Sequence, residues 1–412
     1  MSAVLSGQRM GLATAARHNY RVPVTLWCLD PSVSHLNHGS FGATPAPVLD
    51  TQLRWRHMME SNPTRFMLEQ YQPALDRARH ELARFIGCDP ESLGFVNNAT
   101  AGVNAVFRSL EATLRPGDEI VITNHGYNAC RNAALVTAAR TGARVVTAAF
   151  PFPIEGSWRV LEGVMAAVSS RTRLVLVDSV TSPTALVLPV ADLVAALEPD
   201  VQVLVDAAHA PGMIDFDLDT LGASYVTANC HKWMCAPKGS AFLYVREDRR
   251  RDIYPAVISH GYNGAWPAAG GHLHTQFDWT GTDDPTAWLA VPDALDTVGG
   301  LHPDGWPGIR HSNRQLCLAG RGILIESLGI DKPAPDDMIG AIASVPLPDS
   351  QELARNIFDP LMEALRSRWS IEAMVFTWPE PPRRLLRISA QQYNRVDDYH
   401  LLARALEAEL DH

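Results

Sequence analysis

The sequence is poor in lysine. Of its 412 residues 35 are basic, yet only Lys232, Lys238 and Lys332 are lysines and the other 32 are arginines. Chemistry that needs a side-chain amine is therefore confined to three positions. A GC-rich coding sequence accounts for the scarcity but not for where the three remain. Cysteine is sparse as well: Cys28, Cys88, Cys130, Cys230, Cys235 and Cys317 form no C-x-x-C pair. A chain of this length needs no disulfide staples, so reduced, mostly buried thiols are expected. No excess of positive charge exists, with 45 acidic residues against 35 basic and a net charge of -10. That leaves no electrostatic footprint for nucleic acid or an anionic membrane surface. No apolar run approaches the roughly 18 residues that span a bilayer, and the first residues lack the apolar core and cleavage pattern of a signal peptide. A cytoplasmic protein is expected, with nucleic acid and membranes ranking last among its partners.

What is present is a hydrophobic fraction of 46%, enough for a sizeable core and two or so domains. Strand-like and helix-like stretches alternate from about residue 75 to 246. Strands are expected at 92–96, 120–123, 144–148, 174–177, 201–205, 224–228 and 241–245, several of them continuous Val/Ile/Leu runs. Such runs suit strands buried on both faces, so the fold class is α/β with a mostly parallel sheet sandwiched by helices. Helices are expected at 102–114, 132–141 and 161–169 between them. After a helix at 287–298, a Pro/Gly-rich stretch leads into a long Arg/Leu-rich helix. Residues 340–412 read as short strands with helices at 350–367 and 396–410, a smaller α+β unit.

Two strand ends carry chemistry. Val203-Leu204-Val205-Asp206-Ala207-Ala208-His209 closes a buried strand with an acid and an imidazole, and ligands of open α/β sheets bind outside such carboxyl ends. Taken alone, Asp206 suits a turn or helix cap as well as it suits catalysis. The second strand ends in Asn229-Cys230-His231-Lys232-Trp233. Apolar neighbours there would desolvate the Lys232 ammonium, lower its pKa and favour the amine as a nucleophile, although a solvated loop lysine reads equally well. The order, strand-end Asp then strand-end His-Lys, is that of fold-type I pyridoxal phosphate enzymes, in which Asp pairs with the pyridinium nitrogen and Lys forms the Schiff base. A third stretch, Asn97-Asn98-Ala99-Thr100-Ala101-Gly102, leaves a strand into a helix whose free amides suit a phosphate, or reads as an ordinary cap.

These pieces join others. Leu36-Asn37-His38-Gly39-Ser40-Phe41-Gly42, Asn98-Ala99-Thr100, Gly117-Asp118-Glu119, Thr181-Ser182-Pro183-Thr184, Asp206-Ala207-Ala208-His209-Ala210-Pro211-Gly212, His231-Lys232-Trp233, Gly281-Thr282-Asp283 and Arg387-Ile388-Ser389 run through nearly the whole chain. On them the sequence resembles the class V aminotransferase and cysteine desulfurase superfamily, and within it the isopenicillin N epimerase-like group. The resemblance implies a fold-type I chain with an N-terminal arm (1–45), a large cofactor domain with a seven-stranded sheet (46–298) and a small C-terminal domain (299–412). It implies pyridoxal 5'-phosphate as cofactor and no metal. Lys232 would carry the internal Schiff base and act as acid and base at Cα, and Asp206 would bind the pyridine nitrogen. His209 and Ser182 would lie near the phenolic oxygen, and Thr100, Ala101 and His231 at the phosphate. His125 or Tyr127 would stack on the ring, and Thr282 would reach the phosphate of a partner subunit in a homodimer with shared sites.

Arg387 would take the substrate α-carboxylate, since its planar fork binds two oxygens at once. Asn37, His38 and Arg65 are weaker candidates for substrate contact, a cap or surface role suiting each equally. Some departures bear on the reaction. Desulfurases of the superfamily use a small-domain cysteine, whereas the last cysteine here is Cys317, so persulfide chemistry is not expected. Asp178-Ser179 stands where the epimerase-like group often has Asp-His, and Ala185 where Gly is common. The expected function is proton chemistry at Cα of an amino acid, isopenicillin N epimerase-like, in specialised (antibiotic-type) metabolism. The alternatives are a C-S lyase or a decarboxylation-coupled oxidative deaminase acting on an S-conjugated cysteine. A non-catalytic binding subunit is the alternative of another class, and the joint presence of Asp206, His231, Lys232 and Arg387 speaks against it.

Overall fold

A computed structural model describes residues 26–264, 270–350 and 359–410. Its central sheet has seven strands: β2 (Leu93–Val96), β3 (Glu119–Thr123), β4 (Arg144–Ala148), β5 (Thr172–Asp178), β6 (Gln202–Asp206), β7 (Tyr225–Asn229) and β8 (Ala241–Val245). They lie in the order β2-β8-β7-β6-β5-β3-β4. All neighbours run parallel except around β8, which is antiparallel to both β2 and β7. The Val/Ile/Leu runs divide by parity, as the two-residue strand period requires. Val121, Val175, Val177, Val203, Val205 and Val226 enter one buried cluster, and Ile120, Ile122, Leu174, Leu176 and Leu204 the other. Both faces are thus packed by helices, among them Ala99–Leu110, Asn128–Thr141, Trp158–Ala167 and Val190–Leu197. No helix among the described residues is long and apolar enough to cross a membrane.

All seven expected strands form, with ends shifted by at most two residues. The first helix starts at Ala99 rather than at 102 because Asn98 caps it, its side chain accepting from the Ala101 amide. The 350–367 helix is described only as Pro360–Trp369, the residues 351–358 lying outside the described set.

Chain order reverses between β3 and its two neighbours β4 and β5, so the crevice for a ligand opens at the carboxyl ends of β3, β5, β6 and β7. The C-terminal unit is a three-stranded antiparallel sheet, β9 (Ile342–Leu347), β11 (Met374–Thr377) and β12 (Arg384–Ser389) in the order β11-β12-β9. The long helix Gly305–Leu328 and the helix Val396–Leu410 back it. The arm is tied to this unit: β1 (Ser34–His35) pairs in parallel with β10 (Ile371–Glu372). The Leu36 carbonyl then accepts from the Ser389 amide at 2.8 Å.

Candidate active site

Strand ends, a helix start and the arm enclose a cavity of about 390 Å³ lined by Asp178, Ser182, Asp206, His209, His231 and Lys232, with Phe41 and Tyr127 at its rim. Lys232 sits in the β7–β8 connection, which is cinched tightly. The Cys230 amide donates to Ser240 O at 3.0 Å and the Cys235 amide to Lys232 O at 3.1 Å. Two glycines press on the same turn. A Cβ on Gly42 (φ 71) would stand 2.0 Å from the His231 carbonyl oxygen, and one on Gly212 (φ 87) 2.6 Å from the Trp233 carbonyl carbon. The left-handed backbone and the absent side chain are both required at these two positions.

The Lys232 amine lies 3.2 Å from His209 Nε2, and Trp233 donates its indole N–H to His209 Nδ1 at 3.2 Å. Burial, reinforced by the Arg387 charge, brings the Lys232 pKa down to about 8. His209 is pushed well below the usual imidazole range, first by burial and then by the Lys232 charge. Asp206 accepts from the Ala208 amide at 3.0 Å and from the Cys130 thiol at 3.1 Å. Its register neighbour Asp178 is raised well above the usual carboxylate range, by burial first and by the Asp206 charge second.

At the helix start Ala99–Leu110, Asn229 Oδ1 takes the Ala99 amide at 2.9 Å and Asn98 Oδ1 the Ala101 amide at 2.9 Å. Among the described residues nothing accepts from the Thr100 amide or hydroxyl, and Thr100 faces the cavity. His231 also lines it, its Nδ1 donating to the Ser240 carbonyl at 3.0 Å. Burial lowers the His231 pKa to about 4.

Arg387 lies behind Ser182 and Ser40. Its guanidinium donates to Ser182 O at 2.9 Å, Ser182 Oγ at 3.1 Å, Ser40 Oγ at 2.7 Å and Asn37 Oδ1 at 3.3 Å. All four acceptors are neutral, and Nε has no partner although the residue is only 2% exposed. Among the described residues no carboxylate pairs with it. Burial lowers its pKa to about 10.

Some expected residues stand elsewhere. His125 is wholly buried outside the cavity, bonded to Thr184 Oγ1 at 2.8 Å and Phe150 O at 3.0 Å and stacked on the Phe150 ring. Tyr127, two residues on, lines the cavity, and His125 does not. His38 does not line the cavity: one ring nitrogen meets the Lys232 carbonyl and the other the Tyr393 hydroxyl, both at 3.0 Å. Ala101 is outside it, its amide already engaged. Arg65 pairs with Glu69 on the surface, and Thr282 is exposed, away from this chain's cavity. Residues not anticipated as site members are Asp178, Asn229, Ser40, Phe41 and Cys130. For the first two a signal existed, a polar residue ending a buried strand as Asp206 does. Ala185 adopts φ 56, the left-handed conformation for which glycine is suited.

The donor set fits the cofactor that the sequence implies. One cavity gathers a carboxylate that could meet a ring nitrogen, an unsatisfied helix start that could meet a phosphate, and a desolvated amine. Comparison with known proteins agrees. A family model described as Aminotransferase class-V matches residues 42–267. The isopenicillin N epimerase of Amycolatopsis lactamdurans is 35% identical over 391 residues, covering 92% of this chain and 96% of that protein. A protein of Arabidopsis thaliana named "Probable L-cysteine desulfhydrase, chloroplastic" is 29% identical over 407 residues, covering 92% of this chain and 83% of its own. Among solved structures a cysteine desulfurase from Escherichia coli superposes with a TM-score of 0.74 at 17% identity, over 93% of this chain and 96% of that one, a likeness of fold.

Proposed function

Because this chain belongs to the class-V aminotransferase family, we propose that it exchanges the Cα proton of an amino-acid substrate in the manner of an epimerase. It is a pyridoxal phosphate-dependent enzyme. The observation that carries the substrate class is Arg387, a buried guanidinium with neutral partners, an orphaned Nε and no carboxylate of its own beside the Lys232 cavity. An unpaired buried cation is costly unless an anion completes it, and the α-carboxylate of an amino acid would meet the free Nε–H and displace the neutral Ser40 and Asn37 acceptors from the guanidinium.

The bound cofactor supplies an electron sink that makes the bonds at Cα labile. Thr100 and the start of its helix would hold the phosphate, and Asp206, oriented by Cys130 and the Ala208 amide, would hold a proton on the ring nitrogen. Lys232, its pKa brought down to about 8, takes the Cα proton from one side. Tyr127 also lines the cavity, and we assign its hydroxyl the return of a proton on the side away from Lys232. A homodimer in which Thr282 meets the partner's phosphate, a cytoplasmic location and a role in specialised metabolism belong to the same reading.

The second reading is β-elimination from an S-substituted cysteine. The relative named as an L-cysteine desulfhydrase favours it, and it needs no acid on the far face. One assay separates the two: loaded enzyme with candidate amino acids in deuterated water, following Cα exchange, chirality, pyruvate and CO2 together. Inverted chirality without pyruvate supports epimerisation. Pyruvate with thiol replaces it by elimination, CO2 with loss of ammonia by oxidative decarboxylation, and no Cα exchange from any amino acid overturns both.

A further inference from the structure

Trp233 is 1% exposed and follows the amine-bearing lysine directly. An indole nitrogen has a proton and no usable lone pair, so it only donates. Its partner at 3.2 Å, His209 Nδ1, must therefore be the bare nitrogen of the ring. His209 is itself 3% exposed and stays neutral, since burial disfavours its charged form. A neutral imidazole carries one proton, which is thereby assigned to Nε2. Nε2 is the atom 3.2 Å from Lys232 Nζ. Two donors pointed at one another make no hydrogen bond, so with this tautomer the contact is a hydrogen bond only while the Lys232 nitrogen accepts, which favours the free amine.

We propose that Trp233 is a positioning residue that locks His209 as the Nε2–H tautomer, which holds the neighbouring Lys232 amine in its unprotonated, nucleophilic form. The inference rests on Lys232 being the working amine, and it adds a cause to the lysine's desolvation. Without the indole N–H the ring is free to carry its proton on Nδ1. Nε2 then becomes an acceptor, and an acceptor beside Nζ stabilises the ammonium instead. Trp233 also packs with Val180, Ala185, Met213, Ala341 and Ile342, so loss of packing must be separated from loss of the N–H.

The test uses Trp233→Phe, which keeps an aromatic ring and deletes the donor, with Ile342→Val as a packing control. In the cofactor-free protein the reaction of each lysine with an amine-selective reagent is followed against pH by peptide mass. Lys238 and Lys332 serve as internal references, since the chain has no other lysines. The Lys232 midpoint is expected to rise by about one pH unit in Trp233→Phe, the equivalent of one hydrogen bond, and to stay put in Ile342→Val. A midpoint unchanged in Trp233→Phe overturns the proposal, as does an equal shift in Ile342→Val. The unaltered protein gives a check that survives any folding failure: with 15N-labelled histidine, His209 must show its proton on Nε2, and a proton on Nδ1 sinks the idea. Failure of the underlying reading looks different, since Lys232→Ala would then keep the visible absorption of the bound cofactor.

Discussion

Asp178 and Asp206 end adjacent parallel strands in direct register, each at most 5% exposed, and both face the same cavity. Two carboxylates so placed do not both ionise readily, and burial together with the Asp206 charge raises Asp178 well above the usual carboxylate range, favouring its neutral form. Asparagine mimics a neutral carboxyl group. Asp178→Asn is therefore expected to bind the cofactor within a few-fold of wild type, whereas Asp206→Asn weakens it by about 10- to 100-fold, the value of a charged hydrogen bond. Equal losses in the two variants, measured by cofactor titration, would contradict this division of charge.

The lowered Lys232 pKa makes a statement about stability. In the unfolded chain the ammonium loses its proton near 10.5 and in the folded cofactor-free protein near about 8. Between these values the unfolded state holds more protons, so stability rises with pH. The penalty is full below about 8 and gone above 10.5, a span of about 3 kcal/mol. Urea midpoints of the cofactor-free protein minus those of Lys232→Met give the measurement, and a flat difference across that window rules the shift out.

Histidine ionisation acts at the other end of the scale. His38, His125 and His231 are lowered to about 3, 4 and 4, burial being the first cause for each. Below 6.5 the unfolded chain takes up protons that the fold refuses, so stability falls with acid through pH 6 to 4. The melting temperature of the cofactor-free protein should drop steeply over that range. A level profile from pH 7 to 4.5 would show that these rings are already charged in the fold.

Arg387→Met keeps volume and removes a buried charge that lacks an anion. The expected result is a melting temperature equal to or above that of wild type, together with a KM for amino acids raised by the equivalent of about 2–4 kcal/mol. Unloaded stability and substrate binding thus move in opposite directions. A variant that loses stability while keeping KM would identify Arg387 as structural.

Tyr127 and His125 are separable by substitution. Tyr127→Phe should still exchange the Cα proton with retention through Lys232 but lose inversion by about 10²-fold, the lower range for a general acid. His125→Gln, changed outside the cavity, should leave the ratio of exchange to inversion untouched and lower the melting temperature. If the histidine variant is the one that alters this ratio, the assignment to Tyr127 falls.

The large sheet was legible because burial on both faces writes itself as uninterrupted Val/Ile/Leu runs, and because turns before and after them are rich in Gly, Pro and Asn. Helix starts slipped by up to four residues, since the caps Asn98 and Tyr127 lie outside the apolar pattern. Lys232, Asp206 and Thr100 could be found from strand ends and local order. His125 and Tyr127 could not be told apart, because two positions on one turn differ only in which way the backbone aims them. His38 was out of reach for another reason: its place is set by the carbonyl of a residue 194 positions away. Cys130, which orients Asp206 from across the sheet, left no local trace at all.

The short arm is fastened at both ends. Residues 34–36 are hydrogen-bonded to β10 and β12 of the C-terminal unit, while His38 grips the Lys232 carbonyl and Gly42 rests on His231. Nine residues, 34–42, thus form a mechanical linkage between the sheet that bears Arg387 and the turn that bears the amine. The sheet that bears Arg387 and the turn that bears the amine are therefore joined through the backbone of the arm as well as through whatever ligand lies between them.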